Sequence, residues 1–262
     1  MFSGFANAQG SMQTDFGEQM LNTVASQSIR RMFSQSDSVE VTIRCFPSSK
    51  LLQGSVDNVK MQGRGLVIKR QFQVEEMSFE TDAISIDFGS VLGGKIKLKQ
   101  PTQAIAQIVL SEEGINKAFN AELVKKRLDE VWLSEETGID EPVSFEDISI
   151  ALLPGNQVEI QAKVDVPGQD LQIPIALRAV LSVERRRRLL FAEATFLADR
   201  IPEAVRDLSA QMTSDFVALL NDMVDLDRFD LDGVALRINR VETQQQRLLF
   251  SGYAQIDRFP GA

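Results

Sequence analysis

The sequence predicts an α+β fold: a long, strongly curved antiparallel sheet that wraps amphipathic helices. Three observations predict it. Apolar and polar residues alternate strictly over long stretches, most clearly from Ser38 to Phe88. Stretches with a helical apolar period interrupt runs of strands instead of alternating with them, which argues against a doubly wound parallel sheet. Glycines and a change of alternation phase fall inside strands, as a coiled sheet requires.

Residues 1–11, rich in Gly, Asn and Ser, read as a flexible N-terminus. Phe2 and Phe5 within it could insert into a bilayer, but such residues more often fold back on the domain or have no role, which is the favoured reading. Residues 12–262 read as a single elongated domain. The first helix is expected over 12–34, where Phe16, Met20 and Val24 recur every four residues. Asp15 and Glu18 near its start and Arg30 and Arg31 near its end suit the helix dipole. Such a helix packs on a sheet or lines a cavity beneath one.

Val39, Val41 and Ile43 form the apolar face of the first strand. In PSSKLLQG, Ser48 or Ser49 offers a helix cap and Gly54 a stop. Val59, Met61, Gly63, Gly65 and Val67 are placed on one face of a long strand. The next opens with Phe72 and Val74, changes phase to Met77 and Phe79, and closes with Ile84, Ile86 and Phe88. The phase change predicts a bulge near Glu75-Glu76. GSVLGG (89–94) reads as a turn and KIKLK (95–99) as a strand broken at Pro101. Ala104–Leu110 continues the apolar run.

Ser111 caps a second helix predicted over 111–132, with Ile115, Phe119 and Leu123 at four-residue spacing. The acidic, proline-terminated stretch 134–142 is the candidate boundary between two halves. Strands follow in FEDISIAL, QVEIQAKVDVP, LQIPIALRAVLSVE and RLLFAEATFLAD. A third helix is expected over 202–226, with Pro202 in its first turn and Met212 and Phe216 on its apolar face. Residues 234–256 read as a closing hairpin.

Composition excludes several functions. The net charge of -9 makes nucleic acid a poor partner, because phosphate binding needs a basic surface. The absence of histidine removes Ser-His-Asp chemistry and the commonest metal ligand. Cys45 is the only cysteine, so no internal disulfide or thiolate cluster is possible. GRG (63–65) and GSVLGG lack the helix, lysine and Ser/Thr of a phosphate loop. Acidic pairs such as Glu75-Glu76, Glu112-Glu113 and Asp230/Asp232 are expected by chance among 37 acids, so a carboxylate-based hydrolase is only the weaker third reading, and no catalytic residue, cofactor or metal is expected. The first 20 residues lack a basic start and an apolar run, and no window approaches the roughly 20 apolar residues of a membrane span. A cytoplasmic protein with peripheral membrane contact is the expectation.

The one concentrated basic feature is Arg185, Arg186, Arg187 and Arg188, between two predicted strands. At an anionic lipid surface each arginine is worth about 1 kcal/mol. Alternatively the run is a solvated hairpin turn paired with neighbouring acids.

SVEVTIRCFPSSKLLQGSVDNVKMQGRGLVI, FQVEEMSFETDAISIDF and LSEEGINKAFN together resemble the LmeA-like phospholipid-binding family. A strand leads into Phe46-Pro47, a short turn ends in Leu52 and Gly54, a strand carries Val56 and Val59, and Leu110-Ser111-Glu112 opens a helix. The resemblance runs from about residue 15 to 258 and is strongest over 38–125. The long, acidic form resembles the cyanobacterial members. The resemblance implies a TULIP-like tube, in which a coiled sheet wraps a helix and leaves an apolar groove for phospholipid or glycolipid acyl chains. Phe16, Met20, Val24, Phe119, Leu123, Met212 and Phe216 are the candidate groove residues. Non-enzymatic lipid binding, with intermembrane transfer, is one reading. A scaffold with a filled core and a partner-binding surface is the alternative.

Overall fold

The computed structural model describes residues 16–47, 49–92, 97–168, 172–224 and 233–258. It is α+β with antiparallel sheets throughout. Helix α1 (Phe16–Arg30) precedes strand β1 (Ser38–Arg44). Leu21, Ala25 and Ile29, four apart, are the buried face of α1, against Val41 and Ile43 of β1. The Asn22 side chain accepts from the Ile43 N–H at 2.7 Å and ties the helix to the strand. Ser49–Leu52 (α2) is one helical turn, stopped at Gly54 with φ +79°.

Ser55–Val56 (β2) pairs with Ile84–Ser85 (β5) as a separate ribbon. Between them run the long strands β3 (Asn58–Ile68) and β4 (Phe72–Thr81). The strand expected to run on to Phe88 ends at Thr81, because the Asn58 side chain donates to the Thr81 carbonyl at 2.6 Å and the chain bends at Asp82-Ala83. The expected bulge at Glu75-Glu76 is also corrected. Pairing passes from Arg64–Glu76 to Leu66–Val74 with register kept. Both strands change face in step at Gly65, which has φ +57°. A Cβ at Gly65 would overlap the Asp37 carboxylate, so glycine alone fits. Leu66, not Val67, is the buried residue beyond the bend.

Phe88–Leu92 (α3) is a short helix where a turn was expected. Leu98 makes an isolated bridge to Ile86, and β6 is Thr102–Ser111. Positions 95 and 96 of the predicted KIKLK strand lie outside the described residues, as do residues 1–15. The single helix expected over 111–132 is two. Ser111 caps α4 (Glu112–Phe119) through its hydroxyl, which accepts from the Gly114 N–H at 3.1 Å. Ala121 is extended, with ψ 138°, and α5 (Glu122–Leu128) starts anew.

Strands β7 (Ser144–Leu153), β8 (Gln157–Asp165), β9 (Gln172–Glu184) and β10 (Arg188–Phe196) form a four-stranded meander. Register shifts lie between Glu146 and Ser149 and between Ala192 and Thr195, where Asp147 and Glu193 take positive φ. After a turn at Glu203–Val205, α6 (Arg206–Met223) covers this sheet.

The closing hairpin of β11 (Val234–Gln244) and β12 (Arg247–Ile256) does not extend the meander. It returns to the first sheet, whose order is β1-β3-β4-β6-β12-β11. The two sheets meet at β11, an edge strand whose open backbone groups are taken by the second sheet. The Asn156 amide donates to the Val241 carbonyl and accepts from the Thr243 N–H, both at 3.0 Å. The Ile238 N–H donates to the Arg186 carbonyl at 2.7 Å. Helix α4 closes the β7 edge in the same way: the Asn116 side chain brackets Ile150, and the Glu112 carboxylate accepts from the Leu152 N–H at 2.7 Å.

Candidate functional site

The registers of the first sheet set out an apolar surface across its second half. Cross-strand partners share a face. One row is Phe79, Ala106, Gly252 and Ile238 on β4, β6, β12 and β11. Beside it runs Thr81, Ala104, Ala254 and Leu236. On its other side runs Met77, Ile108, Phe250 and Val241. The centre of this surface is small side chains: half-buried Ala106, and Ala104, Gly252 and Ala254, which are buried, with Phe79, Leu98 and Leu236 packed against the cluster that holds the two alanines. Larger ones stand round it.

A Cβ at Gly252 would overlap the Arg237 carbonyl oxygen, so the β11 backbone fills the space over this buried glycine and excludes any side chain there. Opposite Gly252, β11 shifts register between Ile238 and Arg240. Met77, Phe79, Ala106, Ile108, Leu236 and Phe250 are only half-buried. This contrasts with the β1 side of the sheet, where α1 sits flush. The void beneath α1, lined by Leu21, Ile43, Val59 and Ile86, is about 10 Å³ and holds no acyl chain.

Two larger hollows are polar at their mouths. One, of about 240 Å³, lies on the opposite face of the first sheet among Glu40, Gln62, Arg64, Glu76 and Gln107. The other, of about 390 Å³, lies between α4, α5 and β7. Phe119, Leu128 and Phe145 form its floor, and Lys125, Asp129, Glu146 and Asp147 its walls. Three of those four charges are acidic and repel a phosphate.

The sequence-derived candidates are not gathered at one place. Phe16 and Met20 belong to α1, and their side chains lie outside the described residues. Val24 is half-buried against the cluster under α1. Phe119 lines the 390 Å³ hollow, and Leu123 on α5 is 53% exposed. Met212 and Phe216 are completely enclosed between α6 and the second sheet, with the Phe216 ring stacked on Phe145 at 4.6 Å. The half-buried residues of β6, β12 and β11 were not singled out from sequence. Their alternation was visible, but which strands lie side by side was not.

The four arginines form the β9–β10 turn. Arg185 and Arg186 are exposed with positive φ, while Arg187 and Arg188 are half-buried. Arg188 pairs with Glu184 at 3.2 Å and donates to the Asn221 carbonyl.

Carboxylates whose pKa departs from the ordinary value are all lowered among the described residues. The Arg178 guanidinium beside Glu159, Lys117 beside Glu113 and Lys126 beside Glu122 hold those acids below the usual range. The described residues contain no group of three potential metal ligands and no helix long and apolar enough to cross a membrane. A family model described as LmeA-like phospholipid-binding matches residues 12–252. Comparison with curated proteins and with solved structures finds no match.

Proposed function

The chain belongs to the LmeA-like phospholipid-binding family, and from that premise we propose that it binds a phospholipid acyl chain on the half-buried face of β4, β6, β12 and β11. The observation that carries the reading is the shallow basin of half-buried apolar side chains on four adjacent strands, Phe79, Ala106, Ile108, Phe250 and Leu236, laid over the buried small residues Ala104, Gly252 and Ala254. Side chains that pack a finished core are normally hidden from water; a rim of this size left half-open has apolar area still to bury.

The chemistry is desolvation without turnover. Each methylene moved from water onto this surface contributes about 0.8 kcal/mol. Carriage of the lipid between membranes is part of the proposal. The test is extraction of the purified protein followed by mass spectrometry, then titration of the delipidated protein with a fluorescent phospholipid. Co-purified lipid and saturable uptake are the expected results. A protein that is empty as isolated and takes up no more probe than an unrelated acidic protein overturns the reading.

A further inference from the structure

The loop between β1 and β3 holds two large apolar side chains in water. Phe46 is 84% exposed and Leu52 is 72% exposed, more than any other large hydrophobic residue described. Slack chain does not account for this. The Asp57 carboxylate accepts from the Phe46 N–H at 2.6 Å and from the Lys50 ammonium at 2.9 Å. The Asp57 N–H donates to the Arg44 carbonyl at 2.9 Å and closes the neck of the loop. Leu51, next to Leu52, is buried in the cluster under α1 and anchors the helical turn. The two exposed side chains are thus presented by a pinned loop.

Among the described residues, four cations lie along the loop and its neighbouring segment, against two acids, Asp57, which pairs with Lys50, and the exposed Asp87. Lys50 is on the loop itself, and Arg44 is exposed at its neck. The Lys99 ammonium donates to the Gln53 carbonyl at 3.3 Å. Lys97 is exposed, and its carbonyl accepts from the Asp87 N–H beside the loop. Apolar side chains at the acyl boundary with lysines at the level of the phosphates is how a protein sits on a membrane interface. A protein partner fits less well, because a stable interface needs about 800 Å² from each side and a broad complementary surface.

We infer that the Phe46–Leu52 tip is where this chain docks on an anionic lipid bilayer. Phe46 and Leu52 enter the acyl boundary, and Lys97 and Lys99 lie against the headgroups. The inference rests on the proposed lipid binding, since it supplies the route by which a lipid reaches the basin.

The experiment is flotation of the full chain with vesicles of three parts phosphatidylcholine to one part phosphatidylglycerol. Wild type is expected to float with these and not with phosphatidylcholine alone. Phe46→Ser with Leu52→Ser is expected to lower binding about tenfold or more. Lys97→Gln with Lys99→Gln is expected to flatten its salt dependence. Phe46→Trp, made in a Trp132→Phe background, should shift its emission to the blue on the vesicles. Uptake of a monomeric fluorescent phospholipid should be unchanged in the serine variant.

The inference is overturned if the serine variant floats like wild type, if the tryptophan emission does not move, or if wild type takes up the probe yet never floats. A wild-type dimer that dissociates in the serine variant also overturns it and assigns the tip to self-association. Tip-dependent flotation without probe uptake instead sinks the basin and leaves the tip standing.

Discussion

Tryptophan at Ala106 tests the basin most directly. Ala106 is half-buried on β6, between Phe79 on β4 and Gly252 on β12. An indole laid across it reaches about the 4.8 Å to the neighbouring strand and denies contact to about four methylenes of a bound chain. At about 0.8 kcal/mol each, about 3 kcal/mol of acyl burial is lost. That raises Kd about 200-fold. Ile105 is the matched control. It is the preceding residue, it points to the opposite face, and it is 63% exposed. Ile105→Trp adds the same ring on the same strand and should leave binding unchanged. The assay is titration of delipidated protein with a short-chain fluorescent phospholipid, with thermal melts of all three proteins alongside. Equal affinity of Ala106→Trp and wild type, or equal loss in both variants, would refute the reasoning.

Two further predictions concern the frame that holds the basin. Asn156→Ala leaves the Val241 carbonyl and the Thr243 N–H without their partner from the second sheet. It should cost about 2–4 kcal/mol in urea unfolding and speed hydrogen exchange along β11. Asp57 has its pKa lowered below 3.8, first by the Phe46 N–H and then by Lys50. A carboxylate lowered in the folded state contributes stability above its unfolded value and loses it as pH falls through the folded one. The stability gap between wild type and Asp57→Asn should therefore be present at neutral pH and close only below 3.8. A gap that closes near pH 7 would rule out this role for Asp57.

Local pattern carried the architecture. Period-two alternation in β1, β3 and β6 and the presence of a first helix are decided by neighbours in sequence, so they could be read directly. The helix's buried face could not, since the stripe legible there is Phe16, Met20 and Val24, whereas Leu21, Ala25 and Ile29 are the residues packed on β1. The bend at Gly65 was visible as a change of phase but not as a register-keeping turn. That outcome depends on the Asp37 carboxylate, far from Glu75 in sequence. The predicted helix over 111–132 failed at Ala121, because the apolar spacing of Ile115, Phe119 and Leu123 continues through a break that tertiary contacts impose. Phe216 and Met212 have the right chemistry for a groove and lie buried between α6 and the second sheet, which sequence alone did not show, since an apolar helix face does not say what covers it. The basin itself depends on β12 lying beside β6, a pairing between residues 102–111 and 247–256 that no local pattern records.

The outline of the basin also limits its occupant. Small residues cover only β6 and β12, in the two rows Ala106–Gly252 and Ala104–Ala254. Phe79 stands on the β4 side, and Ile238 and Leu236 stand on the β11 side. Beyond β11 the sheet cannot grow, because Asn156 and the Arg186 carbonyl occupy its edge. The low ground is therefore about two strand spacings wide, near 10 Å. A single acyl chain covers that width; two side by side would ride up on Phe79 and Leu236 and lose contact. On the proposed reading, a one-chain lysophospholipid should bind within about tenfold of its two-chain parent, a difference of about 1.4 kcal/mol. A second chain fully buried in the protein would instead add about 0.8 kcal/mol for every methylene. Competition of both lipids against the same fluorescent probe separates these cases, and a loss of several orders of magnitude for the one-chain lipid would show the occupied surface to be larger than this basin.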